Sequence, residues 1–163
     1  MLNARMEAAL NKQVNAELWS AYIYLSMSYD MDDKGFCGMA SWFAIQAKEE
    51  FEHATKFMEF IGSMDGKVKL KPIDEVRQEW NSPKDAFADT LLHEKEVTVM
   101  IHGLMDLAVE LKDYASQNLL KWFVDEQVEE EDTARKYLSA LEKIEKDSAA
   151  LYLFDKALGK RGD

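Results

Sequence analysis

The sequence is short of residues that break or cross-link a helix. Of its 163 residues two are proline, seven are glycine and one, Cys37, is cysteine. A single thiol cannot close an intrachain disulfide or build a cysteine-based zinc site. So few turn formers leave little scope for β-hairpins, whereas the abundant Ala, Leu, Glu, Lys and Met favour helix. No stretch reaches the roughly 20 consecutive apolar residues that a membrane span needs, and the opening MLNARMEAALNK lacks the unbroken apolar run of a secretion signal. Positive charge is also scarce: 20 Lys and Arg against 31 Asp and Glu leave a formal net charge of −11. A surface of that sign repels nucleic acid and anionic membranes and favours cations as ligands. The expectation is a soluble, cytoplasmic, all-α protein without nucleic-acid or membrane partners.

What the sequence does contain is helical periodicity. It predicts four long segments, roughly 4–32, 35–63, 83–111 and 114–145, and a short one at about 147–158. DDKG at 32–35 marks a turn, Gly62 and Gly66 the end of the second segment, and Asn81-Ser82-Pro83 a capped helix start. Segments of about 28 residues would each be about 40 Å long, which suits a four-helix bundle. The stretch SMDGKVKLKPIDEVRQEW, 63–80, is too long for a hairpin but can run the length of such a bundle. A crossover of that kind makes the second and third helices parallel. Residues 1–163 then form a single domain, a bundle over about 4–145 plus a fifth helix at about 147–158. The apolar faces of that fifth helix, with Leu151, Leu153, Phe154 and Leu158, must pack on the outside of the bundle or on another subunit, and the second is the favoured expectation.

At i, i+3, i+4, i+7 spacing, each core stripe carries a polar intrusion near its midpoint. The first runs Leu10, Val14, Glu17, Ala21, Tyr24, and the second Phe36, Phe43, Glu50, His53, Phe57. The third runs Phe87, Leu91, Glu94, Thr98, Ile101, Met105, and the fourth Leu120, Phe123, Gln127, Glu130, Ala134, Tyr137. Glu17 and Glu50 are 33 residues apart, as are Glu94 and Gln127, so two helical hairpins repeat one constellation and His53 corresponds to Glu130. One carboxylate in an apolar stripe is commonly a boundary residue that reaches water. Four facing one another would cost several kcal/mol each unless they bind protons or enclose a cation. Oxygen-rich ligation with one imidazole disfavours structural zinc and calcium and fits iron or manganese. Glu17, Glu50, Glu94 and Glu130 would balance two divalent ions, with Glu50 as bridge.

Glu17, Tyr24, EEFEH at 49–53, Glu94 and EQVEE at 126–130 together resemble the ferritins, specifically the haem-free bacterial type, over essentially the whole chain. The resemblance implies a ferritin-like bundle with its crossover and short fifth helix. It also implies a ferroxidase that oxidises Fe(II) with dioxygen or peroxide and deposits ferric mineral inside a homo-oligomeric shell of twenty-four subunits. By that likeness Glu17, Glu50 and His53 hold the first iron, and Glu50, Glu94 and Glu130 the second. Gln127 lies beside the second iron, and Tyr24 hydrogen-bonds a ligand of the centre. Glu49, Glu126 and Glu129, with Glu130, match a third iron site. Where a permanent di-iron cofactor would have a second His, this chain has the pair Gln127 and Glu130, which predicts weaker, asymmetric binding and iron in transit.

No Met stands at or next to Glu52, where haem-binding relatives place one, so no haem is expected. Met39, Met58, Met100 and Met105 read as core or interface filling, and His93 and His102 as surface residues rotated away from the stripe of Glu94. A peroxide-reducing rubrerythrin would carry CxxC pairs, a mini-ferritin would split its ligands between subunits, and a purely structural shell subunit would lack the ligands. An unrelated helical interaction protein would leave the four carboxylates without a reason.

Overall fold

The computed structural model describes residues 2–161 and, among them, five helices and no strand. These are α1 (Ala4–Asp33), α2 (Cys37–Ser63), α3 (Pro83–Glu110), α4 (Tyr114–Ile144) and α5 (Ser148–Leu158). The periodicity places all ten ends within two residues. Asn3, Ser82, Asp113 and Asp147 cap α1, α3, α4 and α5 by accepting from backbone N–H groups of the first turn. The end of α2 differs from expectation, because Gly62 lies inside the helix and Asp65, at φ 59°, makes the left-handed residue. The Gly66 N–H then closes back on the Ile61 carbonyl at 2.9 Å. Asp tolerates this conformation better than most residues with a Cβ.

The crossover runs along α1, and α1 side chains satisfy its backbone in order. The Asn11 amide donates to Lys67 O at 3.0 Å, the Trp19 indole to Glu75 O at 3.4 Å, and the Ser26 hydroxyl to Arg77 O at 2.8 Å. Finally the Trp80 N–H donates to the Asp30 carboxylate at 3.1 Å. Without helix or sheet of its own, the strap is tied to α1 at these points, while most of its residues are exposed to solvent. It delivers α3 to the C-terminal end of α1, so α3 runs antiparallel to α1 and parallel to α2.

Two apolar clusters fill the bundle at different levels. One holds Tyr24, Met27, Trp42, Phe43, Trp80 and Phe87, and the other Leu10, Val14, Phe57, Ile101, Leu120 and Phe123. In the second, Phe57 and Phe123 stack with centroids 3.9 Å apart. Each large side chain buried this way contributes roughly 1.5–3 kcal/mol, enough in sum to carry a polar belt between the clusters. Met39 is buried in the core and Met100 is exposed on the single chain.

The inward side of α5 takes the less favoured of the two expectations and packs on the outside of the bundle, with Leu158 buried and Phe154 edge-on to Tyr137 at 5.8 Å; only the outward side of the helix, with Tyr152 and Leu153, is exposed. A helix of eleven residues can split its apolar residues between two faces, which periodicity alone does not resolve.

Candidate metal centre

Each long helix brings one carboxylate to the belt. Glu17, Glu50 and Glu94 are at most 2% exposed and Glu130 is 9% exposed, with His53, Gln127 and Tyr24 also buried. Among the described residues no Lys or Arg nitrogen lies within ion-pair distance of these four carboxylates. Their one such partner is His53, whose Nδ1 lies 3.3 Å from Glu50 Oε2.

Such crowding shows in the acidities. Burial, reinforced by the Glu50 charge, pushes the Glu17 carboxyl up to about 8. Burial also drives Glu50 well above the carboxylate range, with Glu94 and Glu130 adding to it. Glu94 and Glu130 are each raised to about 7 by burial. In Glu94 that is opposed by hydrogen bonds from Tyr24 and Gln127, and in Glu130 the charge of Glu94 adds to it. A metal-free centre therefore holds protons near neutrality, and a divalent cation would displace them.

Polar neighbours decide which oxygens are free. Glu17 Oε1 accepts from the Gln13 amide at 2.8 Å, while Glu17 Oε2 is buried without a partner. The Gln46 amide donates to Glu50 Oε1 at 3.1 Å and to Glu130 Oε2 at 3.0 Å. Glu94 has both oxygens engaged, one by the Tyr24 hydroxyl and the other by the Gln127 amide at 3.2 Å. Two triads offer ligand atoms within 4.8 Å of one another: Glu17, Glu50 and His53, and then His53, Glu126 and Glu130. An orphaned buried oxygen beside a carboxylate and an imidazole is the arrangement a cation completes.

The expected third set is only partly assembled. Glu126 is half-buried and 3.9 Å from His53 Nε2, Glu129 is exposed, and Glu49 is ion-paired with Arg161. Burial raises the Glu126 carboxyl, and Glu129 and Glu49 add to this.

Several neighbours of the site escaped the sequence. Gln13 and Gln46 each stand four residues before a belt carboxylate, and this repeated Q-x-x-x-E spacing is the signal that could have found them. Trp122 meets the His53 ring edge-on at 5.5 Å. His93 is not a surface residue. It is half-buried, packs against Trp19 and Tyr24 at 5.3 and 5.8 Å, lies 2.8 Å from Ser20 Oγ, and is pushed down to about 4 by burial. It is one position off the Glu94 stripe, yet on the side that α1 covers. His102 is exposed as expected.

Fold and belt together define a four-helix bundle with a carboxylate-rich candidate metal site in its core. A ferritin-like domain profile matches residues 7–144. The chain is 36% identical over 161 residues to a bacterial non-heme ferritin of Bacteroides fragilis, covering 99% of this chain and 100% of that one. It is 37% identical to a bacterial non-heme ferritin of Staphylococcus aureus, covering 99% and 97%. The open pore ferritin of the hyperthermophilic archaeon Archaeoglobus fulgidus superposes with a TM-score of 0.98 at 42% identity, covering 99% of both chains. The chain belongs to the ferritin family, and that membership supports a role in iron storage.

Proposed function

We propose that the protein is a ferroxidase that stores its product. Two Fe(II) ions lose one electron each at the belt, one dioxygen accepts both and leaves as hydrogen peroxide with two protons, and peroxide can serve as oxidant in turn. Fe(III) then moves to a ferric oxyhydroxide mineral. Glu17, Glu50 and His53 hold the first iron; Glu50, Glu94 and Glu130 hold the second, beside Gln127. Tyr24 orients Glu94 through its hydroxyl. Glu49, Glu126 and Glu129, with Glu130, take iron onward. The observation that carries this reading is the buried triad of Glu17, Glu50 and His53, with ligand atoms within 4.8 Å of one another, in which Glu17 also has a buried oxygen without a partner.

The chain forms one domain and assembles as a homo-oligomer, by likeness to its relatives a shell of twenty-four. Exposed Tyr22, Leu25 and Tyr29 on α1 support burial against further copies. Among the described residues no helix is long and apolar enough to cross a membrane, which is compatible with a cytoplasmic location. Oxygen uptake and Fe(III) absorbance after adding Fe(II) test the reading. E50A and H53A should lose fast oxidation, and wild-type rates in both would refute the assignment.

A further inference from the structure

The turn after α5 does not end in solvent; it returns to the metal belt. The residue preceding α2, Phe36, offers no side-chain acceptor to the first turn, and α5 supplies one. Asp155 accepts from the N–H groups of Gly38 at 3.1 Å and Met39 at 2.8 Å. The approach is possible because two glycines meet: a Cβ on Gly38 would lie 1.8 Å from Asp155 O, and one on Gly159 would lie 3.2 Å from Gly38 Cα. This docking places Arg161 over the Trp42 ring, 4.6 Å from its centroid. The guanidinium donates to Gln46 Oε1 at 2.9 Å and pairs with the Glu49 carboxylate.

Two consequences follow from the donor and acceptor inventory. An amide whose oxygen faces Arg161 must turn its NH₂ toward Glu50 and Glu130, where Gln46 is found. Glu49, meanwhile, already has a cation. We propose that Arg161 is a positioning residue that fixes Gln46 against the dinuclear ligands and competes with the onward-moving ion for Glu49. The proposal rests on the ferroxidase reading above. An ion arriving at Glu49, Glu126 and Glu129 displaces the guanidinium, so the dock of α5 on α2 sets how tightly the third ion is held.

Anaerobic titration of the assembled, metal-free protein with Fe(II), and separately with Zn(II), reads the number of ions per chain and the affinity of each class. R161A should tighten the third ion about tenfold, by removing a charge-assisted competitor. R161Q should do the same should R161A disturb the turn. R161K should fall between, because an ammonium keeps the charge but lacks the fork that spans Glu49 and Gln46. R161A combined with E49Q should show no gain over E49Q alone. Wild-type third-ion affinity in both R161A and R161Q, with Fe(II) oxidation intact, overturns the role of Arg161 alone. A wild-type protein that takes up no ion and oxidises no Fe(II) overturns this and the ferroxidase reading together.

Discussion

The hairpins α1–α2 and α3–α4 bring similar ligands to one level of the bundle and leave them in different states. In the first, Glu17 has an unpartnered buried oxygen and Glu50 lies against an imidazole. In the second, Glu94 is bonded on both oxygens, and Glu130 shares the Gln46 amide with Glu50. Glu17 keeps one oxygen free for a cation, whereas both oxygens of Glu94 are already bonded by the protein. A cation beside Glu17 would gain an oxygen that had no partner; one beside Glu94 would first break a hydrogen bond. On the proposed function, this difference would make one position tighter than the other.

The largest expected effect comes from removing the ligand common to both halves. E50A should slow dioxygen-dependent Fe(II) oxidation by about 100-fold or more, measured by stopped-flow absorbance, since loss of a ligand costs at least as much as loss of its supporting partner. H53A should weaken the tighter ion by roughly 10–100-fold while leaving the looser one within a few-fold, read by anaerobic titration. E130H would make the second half resemble the first. It should bring the two affinities together and leave metal bound after dialysis. Y24F frees one Glu94 oxygen and should tighten the looser ion by about tenfold in anaerobic titration, the scale of one charge-assisted hydrogen bond.

The smallest effect is thermal. Glu17, Glu94 and Glu130 have folded-state acidities of about 7 to 8 against an ordinary value of 4.5. Between those limits the folded chain binds more protons than the unfolded one. The contribution to stability is therefore fully present below about pH 4.5 and is lost as pH rises through 7 to 8. Metal-free protein should melt at least about 5 °C lower at pH 8.5 than at pH 5.5, and divalent metal should reverse the loss.

The belt was legible in the sequence because helical period converts spacing into direction: Glu17, Glu50, Glu94 and Glu130 all fall on core stripes near one level. The asymmetry was legible as His53 against Glu130. What periodicity could not supply was pairing. Whether Gln46 donates to one carboxylate or two depends on how α2 and α4 pack, and Glu49 looks like any solvated charge until Arg161 is placed. That placement depends on the contact of Gly38 with α5, between residues more than a hundred positions apart. His93 was misjudged for a related reason: one position off a stripe is outside only if no neighbour covers that side, and Trp19 does.

The most direct test of iron in transit is an anaerobic Fe(II) titration of the metal-free protein, with proton release followed in parallel. The asymmetric arrangement predicts two classes of site, the tighter weakened in H53A and filled with release of protons from the belt carboxyls. Two equally tight ions per chain, insensitive to His53, would contradict it.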